Sequence, residues 1–247
     1  MPIERPSRRT IVTLVVAAVL SVLLNLAFRP FRIVRTGDDG RWQVTESVSL
    51  PPPSRDSDIS VEKAIENRRS RREYGERTLE RRELGQLLWA AQGETNRMSD
   101  FRAAPSAGAL YPLELYVIVG TPGVEGLKSG VYRYQPSGHE VIPGKTENVQ
   151  PQLQVAALNQ EAVEKAAIDI VVCAVDERVT GKYGDRGKQR YVPMEAGHAG
   201  ENLYLQAESL GLSTVAIGAF RDDSVRNILG APANQRPLYI FPVGVRA

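Results

Sequence analysis

The sequence predicts an α+β fold: a mixed, mostly antiparallel sheet flanked by helices. Three observations predict it. Apart from Asp169, Ile168–Val175 is an apolar run rich in β-branched residues, the pattern of a strand buried on both faces. Val131-Tyr132-Arg133-Tyr134 leads through a Gly138-His139 turn into Glu140–Ile142, which reads as a hairpin. Leu84, Leu87, Leu88 and Ala91 recur at helical spacing, as do Ala196, Ala199, Leu203, Ala207 and Leu210. Helices that interleave with strands while at least one hairpin is present favour a mixed sheet with helices on its faces.

The elements follow in order. Ile11–Phe28 is apolar apart from Thr13, Ser21 and Asn25, and at ~1.5 Å per residue it covers about 27 Å, enough for a signal or transmembrane helix. Arg5, Arg8 and Arg9 precede it and Arg29, Arg32 and Arg35 follow, so flanking charge does not orient it. Ser7-Arg8-Arg9-Thr10-Ile11-Val12 is similar to a twin-arginine export motif, and Asn25-Leu26-Ala27 makes a poor cleavage site. The expectation is residues 1–28 as an uncleaved anchor, with the remainder membrane-anchored or exported and outside the cytoplasm. Residues 29–58, with Gly37-Asp38-Asp39-Gly40 and Pro51-Pro52-Pro53, read as an extended tether, and 59–247 as the folded domain.

Within that domain Asp58 or Ser60 caps a helix ending at Asn67, and Thr78 caps Leu79–Ala91, which Gly93 ends. Leu115–Val119 is a strand, Val155–Ala167 a helix, and Gly181–Gly187 a charged, glycine-rich loop. Met194–Leu210 is the long helix expected at the centre or at an interface. Thr214–Ile217 is a strand, Asp222 or Asp223 opens a helix to Leu229, and Leu238–Val245 closes the sheet.

Composition narrows the function. A chain of 247 residues with 42% hydrophobic and 24% charged residues can form an ordinary globular core. Its 31 basic and 29 acidic residues leave a net charge of +2, which argues against a nucleic-acid binder. The single cysteine, Cys173, lies in the apolar run and reads as a buried structural thiol. Gly-x-Ser-x-Gly, Walker and Gly-x-Gly-x-x-Gly patterns are absent, which removes the motif-based case for a hydrolase, a P-loop enzyme or a Rossmann dehydrogenase. Glu195-x-x-His198 has only His139 as a further histidine, so no metal site is expected. Arg68, Arg69, Arg71 and Arg72 fit either a solvated face or an anion site that grips phosphate through paired hydrogen bonds.

Several segments carry a more specific signal together than apart: Arg68-Arg69-Ser70-Arg71-Arg72-Glu73-Tyr74, Leu87-Leu88-Trp89-Ala90-Ala91-Gln92-Gly93, Pro105-Ser106-Ala107-Gly108-Ala109-Leu110-Tyr111-Pro112, Lys182-Tyr183-Gly184, Glu195-Ala196-Gly197-His198 and Pro242-Val243-Gly244. In this order, from about Leu50 to Val245, the chain resembles the nitroreductase superfamily, in its SagB-type dehydrogenase branch related to thiazole/oxazole-forming oxidases.

The resemblance implies an FMN-dependent oxidoreductase, a homodimer with FMN at its interface. Arg68, Ser70 and Arg72 then inherit the grip on FMN, with Arg69 and Arg71 solvated. Pro105, Ser106, Ala107 and Gly108 inherit the loop along the flavin ring, where Ala109 stands in place of the asparagine many relatives carry. Ile217, Gly218 and Ala219 inherit the strand end whose amides face the flavin, and Arg246 a basic phosphate contact. Lys182 and Tyr183 are similar to a Lys–Tyr pair that serves as acid and base in azoline-oxidising members. Electron pairs would pass between a donor, NAD(P)H or a peptide azoline, and a small acceptor. The alternative from another class is a non-catalytic flavin-binding partner or scaffold in a membrane-associated maturation complex.

Overall fold

Ile168–Val175 is the centre of the molecule, and all eight of its residues are buried. In the computed structural model, which describes residues 46–96 and 100–247, Ile168, Ile170, Val172 and Ala174 enter one core, and Val171 and Cys173 enter a second on the opposite face. Alternation along an extended chain sends neighbouring side chains to opposite faces, so a strand apolar at both parities needs cover on both. Burial also pushes the Cys173 thiol up, as suits a structural residue.

The strands are β1 (Val48–Ser49), β2 (Tyr74–Gly75), β3 (Glu94–Asn96), β4 (Phe101–Arg102), β5 (Leu113–Val119), β6 (Gly130–Gln135), β7 (Glu140–Pro143), β8 (Ile168–Val175), β9 (Leu212–Thr214) and β10 (Gln235–Arg246). The main sheet runs β1-β7-β6-β5-β8-β10-β2, with β9 also on β10, and β3 and β4 form a separate ribbon. Every ladder is antiparallel; the one parallel contact is an isolated Leu79–Val124 bridge. The expected mixed sheet is therefore antiparallel in all its named strands.

Helices α1 (Val61–Asn67), α2 (Arg81–Gln92), α3 (Gln150–Ala156), α4 (Glu161–Lys165), α5 (Glu177–Arg186), α6 (Val192–Ser209) and α7 (Asp222–Leu229) surround the sheet. One core joins α2 and α6 to it, and the other joins α3, α4 and α7. The α+β expectation holds in this three-layer form.

Several boundaries depart from the sequence reading. The expected tether of residues 29–58 already belongs to the folded body from β1 onward: Val48 pairs with Val141, and buried Leu50 donates its N–H to the His139 carbonyl at 3.0 Å. His139 Nε2 sits 2.9 Å from the Pro51 carbonyl oxygen and so donates to it, leaving Nδ1 to accept from the Tyr134 hydroxyl at 2.9 Å. Thr78 does not cap α2. Leu79 exchanges backbone hydrogen bonds with Gly123 and Glu125, and the Glu80 N–H instead donates to the Glu83 carboxylate at 2.7 Å. The expected Val155–Ala167 helix is two short ones, interrupted where Leu158 and Asn159 take φ of 58° and 61°. Gly181–Gly187 is mostly helical, within α5, although Gly184 breaks the regular path. Ser60 does cap α1, accepting from the Lys63 N–H at 3.2 Å.

The apolar stretch Ile11–Phe28 and its twin-arginine-like flank lie outside the described residues. Among the described residues no helix is long and apolar enough to cross a membrane.

Strand β2 ties the arginine-rich segment to the sheet edge, and it packs closely there: a Cβ added at Gly244 would lie 2.7 Å from Tyr74 Cβ. That atom is fixed to the backbone and cannot swing away. Gly244→Ala is expected to lower stability by about 1–3 kcal/mol in chemical denaturation, and an unchanged midpoint would show that β2 does not hold this seat.

Candidate functional site

The segment after α1 turns out of helix at Arg68 and runs extended to β2, carrying its arginines across the end of α6. The Arg68 guanidinium lies over the Tyr204 ring, 5.0 Å from its centroid. Ser70 Oγ is 2.9 Å from the Tyr204 hydroxyl, and the Ala216 N–H donates to that same hydroxyl at 2.7 Å. Tyr204 Oη thus accepts from Ala216 and can donate to Ser70. One side chain joins two groups expected to serve the cofactor, the Arg68–Ser70 element and the strand end before Ile217. Ile217 itself is buried and bridges Ile240, while Gly218 and Ala219 are exposed. A Cβ at Gly218 would meet only Tyr239 Cε1, at 3.9 Å, so the backbone there is open to a flat ligand.

The guanidiniums divide into two kinds. Arg71 and Arg246 both donate to Glu208 Oε2, each at 2.8 Å, and Glu208 is buried. Arg71 is therefore a structural ion-pair partner and not a solvated residue. Arg246, expected as a phosphate contact, is anchored by the same carboxylate. Two guanidiniums on one carboxylate leave a net positive charge. Among the described residues, neither Arg68 nor Arg72 has a carboxylate within ion-pair distance. Arg69 turns to the Glu66 and Arg68 carbonyl oxygens, at 2.9 and 2.7 Å. Arg71 thus departs from the solvated role expected of it, while Arg69 is exposed.

The second group is the Pro105–Pro112 loop. Gly108, Ala109 and Tyr111 take φ of 65°, 53° and 45°, so two residues with side chains sit in the left-handed region. Each such residue costs on the order of 1–2 kcal/mol, and it persists only where its surroundings enforce it. Here Ser106 Oγ accepts from the Tyr111 N–H at 2.9 Å, the Arg102 N–H reaches the Tyr111 hydroxyl at 3.3 Å, and Arg178 Nη1 donates to the Tyr111 carbonyl at 2.9 Å. The Arg102 guanidinium covers the Tyr111 ring at 4.7 Å. The Ser106 hydroxyl is therefore engaged in shaping its own loop. Pro105, Gly108 and Ala109 are exposed, and Ala107 is half-buried.

Lys182 and Tyr183 arrive on α5. A Cβ on Gly108 would lie 2.8 Å from Tyr183 Oη and 2.9 Å from Lys182 Nζ, so the expected acid–base pair rests directly on the loop. The Lys182 ammonium is 5.3 Å from the centroid of the Tyr183 ring, which in turn meets Tyr191 edge-on at 5.0 Å. Glycine adopts the φ of 65° at 108 without the cost a side chain would carry.

Two half-sites result. The loop meets Lys182 and Tyr183 at Gly108, and the arginine element meets α6 at Tyr204. Among the described residues no hydrogen bond, ion pair or ring contact joins the loop to the arginine element. Before Tyr204, α6 exposes Met194, Gly197, His198 and Glu201, with no neighbour within 4 Å of a Cβ built on Gly197. Sequence reasoning missed Tyr204, which falls outside the apolar stripe of α6, and the buried carboxylate of Glu208; Glu195, named in a motif and set aside as a metal ligand, is buried as well.

Removing the Tyr204 hydroxyl orphans the half-buried Ala216 N–H. Tyr204→Phe is expected to cost about 1–3 kcal/mol of stability in denaturant titrations, and no loss would mean that water or another acceptor serves Ala216.

With the geometry in place, comparisons with known proteins identify the relatives. The family model described as the nitroreductase family matches residues 65–245. A nitroreductase-like protein of Methanocaldococcus jannaschii, MJ1384, is 46% identical over 187 residues, covering 76% of this chain and 91% of that one. The microcin B17-processing protein McbC of Escherichia coli is 30% identical over 147 residues, 58% of this chain and 54% of McbC. Among solved structures, a nitroreductase-like protein of Anabaena variabilis is 30% identical with a TM-score of 0.71, covering 87% of this chain and 44% of its own. The E. coli microcin synthetase McbBCD complex, with truncated pro-MccB17 bound, contains a chain that shares the fold at a TM-score of 0.63 and 24% identity, with 94% of each chain covered. The chain belongs to the nitroreductase family of oxidoreductases, and its relatives include the peptide-processing protein expected from the motifs.

Proposed function

We propose that this protein is an FMN-dependent oxidoreductase that acts as a homodimer on a peptide azoline or, with NAD(P)H as donor, on a small acceptor. The observation that carries the reading is the convergence of expected groups at two places: Arg68, Ser70 and the Ala216 amide, which leads into Ile217–Ala219, on Tyr204, and Lys182 and Tyr183 on Gly108. Relationship to a protein named for microcin B17 processing favours the peptide.

The residues fit FMN. Its phosphate carries nearly two negative charges, and Arg68 and Arg72 are guanidiniums without carboxylate partners beside a pair that retains excess positive charge. Exposed Gly218 and Ala219 offer backbone that a ring can approach closely. Bound FMN would supply the two-electron redox chemistry. Lys182 Nζ and Tyr183 Oη would move a proton at the substrate atom next to the reacting carbon, and the left-handed loop beneath fixes their height. Because the two half-sites lack mutual contacts within one chain, a second copy laid on the exposed faces of α1, where Val61 and Ile65 are bare, and α6, where Met194 is, would bring its loop to the first copy's arginines. Residues 1–28 would hold this dimer at a membrane, outside the cytoplasm.

The purified full chain should be yellow, with FMN at one equivalent per chain, and Arg68→Ala with Arg72→Ala should lose it. Lys182→Ala and Tyr183→Phe should keep the flavin yet lower azoline-peptide oxidation by about 10²–10⁴-fold. Colourless protein that cannot be reconstituted removes the proposal; undiminished rates in both variants remove the acid–base assignment.

A further inference from the structure

The helix that carries Lys182 and Tyr183 does not run smoothly into α6. Gly184 takes φ 57° and ψ −152°, a region that residues with a side chain essentially never enter. Gly187–Tyr191 then forms a π-helical turn, at whose end the Val192 N–H donates to the Gly187 carbonyl. Turns of this width are rare, and within helical stretches they frequently mark functional sites.

Several contacts tie the turn down. Val179 and Val192, on either side of it, are buried in one core. Lys188 reaches Asp176 at 3.7 Å, and Arg236 of β10 holds that same carboxylate through bonds of 3.1 and 2.9 Å. A Cβ on buried Gly187 would lie 3.1 Å from Tyr183 Cβ, so the turn folds back against Tyr183 itself.

What the detour achieves is a ring contact. In a straight α-helix residues 183 and 191 would stand about 12 Å apart along the axis. Here their rings meet edge-on, with centroids 5.0 Å apart and planes at 86°. Arg186 Nε donates to the Tyr191 hydroxyl at 3.1 Å, which fixes the second ring in turn. The Lys182 ammonium lies over the Tyr183 ring, 5.3 Å from its centroid, and the polar ends of both side chains border Gly108. Tyr183 is half-buried and Lys182 exposed, on a helix whose one buried residue is Val179, so the fold beneath does little to fix the pair.

We infer that Tyr191 is a positioning residue: its ring, pinned by Arg186, backs Tyr183 and so sets where Tyr183 Oη and Lys182 Nζ stand against Gly108. The inference rests on the proposed acid–base role of Lys182 and Tyr183 for its functional meaning, while the seat itself is a matter of geometry. Proton transfer is sensitive to such a seat, since a misplacement of about 1 Å can cost on the order of 10² in rate.

The test combines kinetics and ring NMR on the full chain, labelled with ring-13C tyrosine, as wild type, Tyr191→Leu and Tyr191→Phe. The Tyr183 signal is identified by its loss in Tyr183→Phe. In Tyr191→Leu that signal should move toward the position of free tyrosine. With FMN retained and KM unchanged, kcat for azoline-peptide oxidation should fall about 10–10²-fold in the same variant. Tyr191→Phe keeps the ring, and it should hold the signal in place and kcat within about threefold of wild type. An unmoved Tyr183 signal or an unchanged kcat in Tyr191→Leu overturns the inference, and so does a Tyr191→Phe variant as poor as Tyr191→Leu. Wild type that binds no FMN, or oxidises no azoline peptide, counts against the proposed function, and the Tyr183 signal then decides the role of Tyr191 by itself.

Discussion

The close approach of α6 to strand β10 organises everything built on them. A Cβ on Gly200 would lie 2.9 Å from the tip of the Phe241 ring, so the helix seats on the sheet at a distance only glycine permits. With α6 at that height, Tyr204 meets Phe241 edge-on at 5.9 Å and its hydroxyl reaches Ala216 and Ser70. The same helix carries Glu208 to Arg71 and Arg246, Asn202 to the Ala90 carbonyl and Gln206 to Gln86. Tyr204, Asn202, Gln206 and Glu208 of one helix thus hold separate stretches of chain. Burying polar groups in a packed layer is tolerated because each gains partners of high value: a backbone N–H, two guanidiniums, a serine hydroxyl.

What the sequence made legible depended on how locally the physics acts. The Ile168–Val175 run specified its own double-sided burial, and Ser60 its own helix cap, because those effects need no distant partner. The Arg68–Tyr74 element, the loop glycine and the Lys182-Tyr183 pair were found through resemblance, and the structure seats them against partners that make sense of them. Residues whose meaning comes from a distant contact were not legible. Arg71 looks identical to Arg72 until Glu208 is brought beneath it from 137 positions away. Tyr204 looks like a surface aromatic on a helix until Ala216 and Ser70 fold onto its hydroxyl. The Val48–Ser49 strand was hidden because two paired residues make no periodic pattern, and the following prolines suggested a spacer where His139 in fact anchors Pro51. Glycines at 181 and 184 with surrounding charge suggested a loop; the segment lies in helix α5, whose one buried residue is Val179, and Gly184 still breaks the helical path.

The division of labour among arginines also has a physical logic. A buried carboxylate shared by Arg71 and Arg246 fixes the sheet edge and the chain's end, so those charges are committed to structure. Arg68 rests on an aromatic face and Arg72 is exposed, and both remain available to an anion. Charge committed and charge available alternate along five residues, as an extended backbone requires when one side faces the protein and the other a ligand.

The claim on which the account turns is that the loop and the arginine element complete one site only across two copies of the chain. Subunit mixing tests this directly. A copy with Arg68 and Arg72 replaced by alanine is mixed, after dissociation, with a copy whose loop is disabled at Gly108, neither of which holds FMN alone. Recovery of flavin binding on mixing is the predicted result, since one of the two sites in each heterodimer then has both halves intact. Mixed dimers that form yet bind no FMN would place both halves within a single chain and contradict the account.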